Sequence, residues 1–375
     1  MEKISAKDCL RLKGILAGKP LIGPRVVNIH LTNVCNVRCC FCWYHSPLVT
    51  WNKKREDLDF PTFRKVVDDC ASMGVDALSL EGGEVVRYPH AAEAFHYVKS
   101  KGLGIFAYTN LAYGREHLKY IAKADRLYIN LSASDEKMYQ KIHGMPFFKQ
   151  VEENLKILRE MRKQRGHPSL QMTFIINKLN YHAVKEYLDW MNRLQVDNVS
   201  FRIFEATVEM KSLILKKGSS DKLLKVIDRV SRLKCRVKHN LFEIREVLTN
   251  GEFLKNPFSI ERGRWNSDRL FYYNNLHGDV TSCYTGWFYS LIDEKGRVIA
   301  PCDNIGICVA GNIYDRSFKD IWFHSQKFKD IRRETLHSID ITKKRWAECR
   351  YCGHAVFNRE IGEVLKGIKA GGQKA

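Results

Sequence analysis

Short apolar runs alternate with longer stretches of helical periodicity over the first two hundred residues. The apolar runs predict buried strands at 26–31, 77–80, 105–108, 127–131, 171–176 and 198–204. The segments between them carry apolar residues at helical spacing, at 61–74, 90–102, 115–123, 149–165 and 181–194. Six strand–helix units whose strands are mostly apolar throughout indicate a parallel sheet covered by helices, curved or closed into a barrel.

Polar residues follow each predicted strand. In a parallel sheet of this kind the carboxyl ends of the strands share one rim, and that rim carries the chemistry. The groups expected there are a cysteine-rich loop after the first strand, Glu81–Glu84, Thr109–Asn110, Ser132–Ser134, Asn177 and Glu205. Among these rim groups and the residues just beyond them, Asp135, His143 and Glu205 are candidates for a general base, with capping or surface roles as the alternative.

The remaining segments differ in character from this alternating series. Residues 1–24 contain a short amphipathic stretch, expected to pack on the main domain, with a membrane-surface role as the alternative. Glu294-Lys295-Gly296 lies between two apolar runs and predicts a hairpin, and a helix is predicted near 317–333. The predicted organisation is an N-terminal extension (1–24), a core barrel (25–205), a helical bridge (206–275), a small C-terminal α+β domain (276–360) and a tail (361–375). The fold class is therefore α/β, a partial (β/α)6 parallel barrel with an added domain.

Composition narrows the possible classes of protein further. No stretch approaches the roughly 18 apolar residues of a membrane span, and the first residues lack the apolar core of a signal peptide, which predicts a cytoplasmic protein. Twelve cysteines in a reducing compartment favour metal ligation over disulfides. The net charge of +20 permits a nucleic-acid partner. However, the basic residues are dispersed, so a solvated basic surface explains the charge equally simply and nucleic acid is not the favoured partner.

The loop after the first strand contains Cys35, Cys39 and Cys42 in a C-x3-C-x2-C spacing. This spacing suits a [4Fe–4S] cluster, which wants four ligands. Three cysteines therefore either await a distant fourth or leave one iron open to another molecule. A structural zinc site is the alternative, but it usually takes four protein ligands, and this triplet has no matching partner pair.

These cysteines, the aromatic Phe41 before the last of them, and Gly82-Gly83-Glu84 after the second strand resemble the radical SAM superfamily. The resemblance implies that the three cysteines hold a [4Fe–4S] cluster whose fourth iron binds S-adenosylmethionine (SAM). Reductive cleavage of SAM then gives methionine and a 5′-deoxyadenosyl radical, which abstracts hydrogen from a substrate C–H bond.

The same resemblance assigns contacts with SAM. It places Phe41 near the adenine, Gly82, Gly83 and Glu84 at the methionine end, Asn130 and Ser132 at the ribose and carboxylate, and Arg202 at the carboxylate. The chain departs from the family in two places, since Val85 replaces a frequent proline and Leu111 a frequent glycine.

The C-terminal region resembles the SPASM domain, which binds auxiliary iron–sulfur clusters. The resemblance implies that one auxiliary [4Fe–4S] cluster is held by Cys283, Cys302, Cys349 and Cys352, giving two clusters in all. Four sulfur ligands also suit zinc, which stays the alternative here. For Cys308, a buried thiol, a spare ligand and a hydrogen-atom donor are the three interpretations.

The function predicted from the sequence is a radical SAM oxidoreductase, which needs an electron donor such as ferredoxin or flavodoxin. Two substrate classes compete: a ribosomally made peptide to be cross-linked, epimerised or oxidised, and a carbohydrate or other small molecule to be dehydrogenated or epimerised. The peptide is slightly favoured because it is the commoner substrate of such proteins. The alternative from another class is a non-catalytic iron–sulfur or zinc protein that binds nucleic acid.

Overall fold

The computed structural model describes residues 5–49, 54–204, 209–232, 235–249, 282–300, 308–337 and 354–372. Its ten strands are β1 (Val26–Thr32), β2 (Ala77–Gly82), β3 (Gly104–Thr109), β4 (Arg126–Asn130), β5 (Ser169–Ile176), β6 (Asn198–Ile203), β7 (Lys238–His239), β8 (Tyr289–Ile292), β9 (Arg297–Ile299) and β10 (Val309–Asn312).

The described residues also form thirteen α-helices. These are α1 (Ala6–Leu16), α2 (Phe60–Ser72), α3 (Ala91–Ser100), α4 (Leu118–Ile121), α5 (Glu136–His143), α6 (Phe148–Arg165), α7 (Val184–Leu194), α8 (Lys217–Val230), α9 (Leu241–Thr249), α10 (Thr285–Phe288), α11 (Phe318–His324), α12 (Gln326–His337) and α13 (Ala355–Gly372). None of them is long and apolar enough to cross a membrane.

All ten strands belong to one sheet, in the order β10-β9-β8-β1-β2-β3-β4-β5-β6-β7. Strands β1 to β6 pair in parallel and in chain order, which confirms the predicted six-stranded parallel core, and β7 adds a short seventh parallel strand. The register aligns Ile29, Leu80, Ala107 and Leu127 in one row, and all four are fully buried. This row faces the helices and forms the centre of the core.

The two faces of the sheet differ. Along β5, Leu170, Met172, Phe174 and Ile176 are buried, whereas the residues between them are only partly buried. In the described residues the sheet ends at β7 and β10, so the barrel is partial, as predicted, and its concave face is not closed. That open concave face supplies the wall of the cavity described below.

The C-terminal hairpin turns at Glu294-Lys295-Gly296, as predicted, with Gly296 at a φ of 74°. Its first strand, β8, pairs in parallel with β1, so the hairpin and β10 extend the barrel sheet at its other edge. The sheet therefore runs without interruption from the predicted barrel into the predicted C-terminal domain. The boundaries of the five predicted segments stay predictions; α13 crosses the one at residue 360, and residues 250–281 of the bridge lie outside the described residues.

Helix α1 packs on the protein, as expected. Its Leu12 and Ile15 join a small apolar cluster with Trp287 and Phe288 of α10 and Leu365 of α13. The N-terminal helix therefore supports the side of the sheet that the C-terminal elements build.

The guanidinium of Arg11 on the same helix is buried against the start of the barrel. It donates to Asp8 at 2.7 Å and to Asp76 at 2.8 Å, and to the carbonyl oxygens of Gly23, Pro24 and Gly74. These bonds satisfy a buried charge that would otherwise be costly.

Candidate metal centre

Strand β1 runs directly into the loop that carries Cys35, Cys39 and Cys42. All three thiols are free, and all three line one cavity of about 420 Å³. The amides of Arg38 and Cys40 donate to the carbonyl oxygens of His143 and Ile142, at 3.0 and 2.8 Å. The end of α5 therefore holds the loop through its backbone.

Each of the three sulfur atoms has an N–H donor nearby. The Sγ of Cys39 lies 3.1 Å from Nδ1 of His143, and that of Cys42 lies 3.4 and 3.3 Å from the amides of Tyr44 and His45. The Sγ of Cys35 receives a longer contact of 3.8 Å from the side-chain amide of Asn110. Such donors stabilise the negative charge of metal-bound thiolates.

Burial governs the acidity of these thiols without a bound metal. It raises the pKa of Cys35 to about 12, with a further contribution from the Glu84 carboxylate, and it raises the pKa of Cys39 well above its ordinary value. Metal binding must therefore displace protons that the site otherwise retains.

The donor set fits an iron–sulfur cluster. No group of three or more His, Cys, Asp or Glu side chains in the described part of the chain is placed to hold a single metal ion, as a zinc site would need. In a cubane each cysteine binds a different iron, so its sulfurs surround the cluster instead of converging on one point. Three sulfurs lining one cavity, each with an N–H donor, match that arrangement.

Gly82 and Gly83 let the end of β2 approach the cysteine loop. A Cβ at Gly82 would come within 2.3 Å of the carbonyl oxygen of Thr32, and one at Gly83 within 2.3 Å of that of Val34. Real Cβ atoms do not approach backbone oxygens so closely, so any side chain here would push the loop away. Both glycines line the cavity, where contact with SAM is expected. The close packing of the two backbones is a second reason for glycine at these positions.

Glu84 lies beside them, and only 1% of it is exposed. Its carboxylate accepts hydrogen bonds from Oγ1 of Thr109 at 2.8 Å and from the amide of Asn110 at 2.7 Å. Burial nevertheless raises its pKa to about 7, outweighing the opposite effect of these two bonds. Through Asn110, which also reaches Cys35 and Asn36, the Glu84 carboxylate links the ends of β2 and β3 to the cysteine loop.

The other residues expected to contact SAM fall into two groups. Phe41, Asn130 and Arg202 line the cavity together with the cysteines. Ser132 is fully buried and lies outside the cavity lining; its amide donates to His143, its hydroxyl to Asn130, and its carbonyl oxygen accepts from Asn180. The structure thus brings all but one of these side chains to one cavity.

Comparison with known families agrees with this geometry. A model of the radical SAM superfamily matches residues 29–191, and a model of the SPASM iron–sulfur cluster-binding domain matches residues 278–353. The chain belongs to the radical SAM superfamily. It is a radical SAM enzyme with a C-terminal SPASM domain. When bound, the [4Fe–4S] cluster and SAM of such enzymes supply the 5′-deoxyadenosyl radical, and the SPASM domain binds auxiliary iron–sulfur clusters.

The chain is similar to known proteins over most of their length. The AdoMet-dependent heme synthase of Methanosarcina barkeri is 22% identical, covering 94% of this chain and 98% of the relative. The PqqA peptide cyclase of Methylobacterium nodulans is 24% identical, covering 85% of this chain and 79% of the relative. The crystal structure of Streptococcus suis SuiB bound to the precursor peptide SuiA matches with a TM-score of 0.62 at 15% identity, covering 91% of this chain and 74% of SuiB.

The structure describes two of the three base candidates of this radical SAM enzyme, and neither is placed as a base. His143 is fully buried, its pKa is lowered to about 3 by burial, and its ring is bonded to Ser132 and Cys39, so it does not face the cavity. Asp135 caps α5 by accepting from the amide of Met138 at 2.8 Å. Glu205 lies outside the described residues.

Sequence reasoning missed other side chains of the radical SAM cavity. His30 of β1 has Nε2 3.9 Å from Glu81 and Nδ1 3.9 Å from Glu294 of the hairpin turn. Tyr108 and Tyr128 stack with ring centroids 4.6 Å apart. The alternation of polar and apolar residues at 28–31 could have identified His30 as facing away from the core. The approach of Glu294 depends on the pairing of β8 with β1, which no local pattern indicates.

Of the expected SPASM ligands, the structure describes only Cys283. It is 4% exposed, its amide donates to the carbonyl oxygen of Thr335 at 2.8 Å, and burial raises the pKa of its thiol. Cys302, Cys349 and Cys352 lie outside the described residues. Cys308 is half-buried and packs against the main core.

Proposed function

We propose that this radical SAM enzyme modifies a peptide by abstracting a hydrogen atom from one of its C–H bonds. The observation that carries the proposal is one cavity that joins the three loop cysteines to the inward-facing side chains of the strands. A substrate in this cavity lies next to the site where the radical is made. Such proximity is what hydrogen abstraction requires.

Within this proposal each part of the cavity has a task. Cys35, Cys39 and Cys42 bind the core cluster, and Gly82, Gly83 and Glu84 shape the place of the methionine end of SAM. Phe41 packs near the adenine, and the cationic Arg202 pairs with the carboxylate. Asn130 serves the ribose and carboxylate, and Ser132, which lies behind the cavity lining, supports it through the hydrogen bond from its hydroxyl to Oδ1 of Asn130. Buried side chains below the rim, such as Ile203 and Phe204, help exclude water from the radical.

The comparisons with known proteins support a peptide. Proteins similar to this chain include a peptide cyclase and SuiB, whose structure holds a precursor peptide. A cross-link, an epimerisation or an oxidation would each begin with the same abstraction.

A small-molecule substrate is the second candidate. The match to the AdoMet-dependent heme synthase spans nearly the full length of both proteins, 94% and 98%, more than the match to the peptide cyclase. Dehydrogenation or epimerisation of a carbohydrate or another small molecule would use the same core cluster and the same wall of the cavity.

The proposal includes an electron source. We expect a one-electron donor such as ferredoxin or flavodoxin in the cytoplasm, and the net charge of +20 favours the approach of an acidic donor. Cys283, Cys302, Cys349 and Cys352 would hold one auxiliary [4Fe–4S] cluster, which can accept the electron left on an oxidised substrate.

Anaerobic reconstitution tests the proposal. Two cubanes predict about eight irons per chain with matching sulfide, and 5′-deoxyadenosine that forms only with dithionite. Candidate peptides and sugars deuterated at known carbons are then supplied in parallel. Deuterium in 5′-deoxyadenosine from a peptide supports the proposal, and transfer only from a small molecule selects the second candidate. Zinc in place of iron, no SAM cleavage, and nucleic-acid affinity that falls steeply with salt would contradict both.

A further inference from the structure

His143, the last residue of α5, is held from three sides beneath the cysteine loop. Its ring stacks on Tyr139 with centroids 4.4 Å apart and meets Phe41 edge-on at 5.9 Å. Its backbone carbonyl accepts the amide of Arg38 from the loop. The side chain is fully buried, so its orientation is fixed by these contacts.

The partners of the two ring nitrogens determine where the proton is. The amide N–H of Ser132 points at Nε2, 3.1 Å away, and a backbone amide can only donate. Nε2 must therefore offer its lone pair, which leaves the ring proton on Nδ1. Nδ1 lies 3.1 Å from the Sγ of Cys39, so its N–H donates to that sulfur.

This donor differs from those of the other two loop cysteines. Cys42 receives backbone amides, which only a substitution to proline would remove, and Cys35 receives the long 3.8 Å contact of Asn110. Among the sulfur contacts of the described loop, the one from His143 is thus a short side-chain bond that mutagenesis can change.

We propose that His143 is a positioning residue that raises the reduction potential of the core cluster through its Nδ1–H···Sγ bond to Cys39. The inference rests on the proposed role of Cys39 as a cluster ligand. Reduction adds a negative charge to the cluster, and N–H groups pointing at its sulfurs stabilise that charge. The hydrogen bond from the Ser132 amide to Nε2 keeps the Nδ1–H of His143 directed at the Cys39 sulfur in both oxidation states of the cluster.

Two amide variants test the two ring nitrogens of His143 separately. In His143→Asn the side-chain nitrogen is three bonds from Cα, as Nδ1 is, so it can still donate to Cys39 while the Ser132 amide loses its acceptor. In His143→Gln the amide is four bonds from Cα, as Nε2 is, so it can accept from Ser132 but loses the sulfur contact. Each variant removes one of the two hydrogen bonds, which makes them matched controls for the damage done to the fold.

The measurement is a redox titration of the reconstituted enzyme followed by electron paramagnetic resonance, using the signal that changes on adding SAM to identify the core cluster. We expect His143→Gln to lower the reduction equilibrium constant about tenfold, which is about 59 mV for one electron. His143→Asn should stay within about twofold of the wild type. Tyr139→Phe, which removes a buried hydroxyl with no hydrogen-bond partner among the described residues, should not change the potential.

Equal potentials in the Asn and Gln variants would overturn the proposal. If the Gln variant fails to retain iron, the iron content decides: retention by Asn alone supports the sulfur bond, and equal loss in both contradicts it. Cys39→Ala is assayed alongside. A Cys39→Ala protein that keeps its full iron would remove the ligand assignment itself, which distinguishes that failure from a failure of the role of His143.

Discussion

The cysteine loop and the surroundings of Cys283 place the same residue type in two different environments. The loop cysteines are partly exposed to a cavity, and side chains from distant elements, such as Asn110 and His143, reach their sulfurs. Cys283 is buried in the main hydrophobic core, lines no part of that cavity, and donates its backbone amide to the carbonyl oxygen of Thr335. The first environment leaves room for another molecule, whereas the described residues of the second pack closely around the Cys283 thiol.

This difference in environment suits two clusters with different roles. A cluster that must bind SAM needs one face open, and its ligands have to be held by groups behind them. A cluster that only accepts electrons gains from full enclosure, as closed structural metal sites do. The predictions below test whether the two regions are as separate as this comparison implies.

The largest effect should come from the cysteines themselves. Cys39→Ala should abolish dithionite-dependent 5′-deoxyadenosine, because the core cluster loses a ligand. Cys283→Ala should stop substrate conversion but keep uncoupled SAM cleavage at roughly a tenth of the wild-type rate or more, a barrier change of about 1.4 kcal/mol at most. Both are measured by chromatography of 5′-deoxyadenosine under anaerobic conditions. Complete loss of cleavage in both variants would break the comparison.

The fold around the first strands was predictable to a large extent. The apolar runs that predict β1 to β6 are set by burial against helices, a local property that any strand in a covered parallel sheet shows. The loop spacing likewise identifies Cys35, Cys39 and Cys42 without tertiary information. These features depend on neighbours in the chain.

The rest depends on contacts between distant residues. Nothing near residue 289 indicates that β8 pairs with β1, which is what brings Glu294 to His30. His143 is a similar case, since as a histidine near a rim it suggested a base, and only its full burial between Ser132 and Cys39 indicates a supporting role. Periodicity reports which face of an element is buried, but not which partner covers it.

Arg11 offers the largest expected effect on stability, because it ties α1 to the start of the barrel. Arg11→Ala removes the partner that Asp8 and Asp76 share, together with the hydrogen bonds to three backbone carbonyl oxygens. Asp8 keeps Arg25 and Asp76 keeps Lys7, so we expect a loss of about 2–3 kcal/mol in the free energy of unfolding. Urea denaturation of the reduced apoprotein measures it. Arg115→Ala, which breaks the exposed pair with Glu153, is the matched control and should cost about 1 kcal/mol or less. A similar small loss for Arg11→Ala would show that α1 is not an anchor.

Glu84, which lies beside the cysteine loop, allows a test of that region through the pH dependence of stability. Its pKa is about 7 in the folded protein against an ordinary value of 4.5, so the folded state binds the proton more tightly. Its contribution is therefore most favourable below pH 4.5 and declines as the pH rises from about 4.5 to 7. At about 1.4 kcal/mol per pH unit, the decline is of the order of 3 kcal/mol.

Glu84→Gln should remove this decline, because its amide stays neutral throughout. The measurement is the difference in unfolding free energy between wild type and Glu84→Gln at several pH values from 4.5 to 8. The variant should gain relative to the wild type as the pH rises. A constant difference would show that the pKa of Glu84 is the same in the folded and unfolded states, so that its two hydrogen bonds offset the effect of burial.

The smallest expected effects come from a pair of asparagines, one on each side of the comparison. Asn36 accepts from Asn110 at 2.9 Å and donates to the carbonyl oxygen of Ala112, whereas Asn358 accepts from the amide of Tyr284, next to Cys283, at 2.7 Å. Each alanine variant loses neutral hydrogen bonds worth about 1 kcal/mol apiece.

Asn36→Ala should lower kcat/KM for SAM cleavage by about tenfold at most, since 1.4 kcal/mol corresponds to a factor of ten. Asn358→Ala should leave cleavage unchanged and reduce only the substrate converted per SAM consumed. If Asn358→Ala slowed cleavage as much as Asn36→Ala, the continuous sheet through β1 and β8 would be coupling the two regions, and their separation would be one of position and not of function.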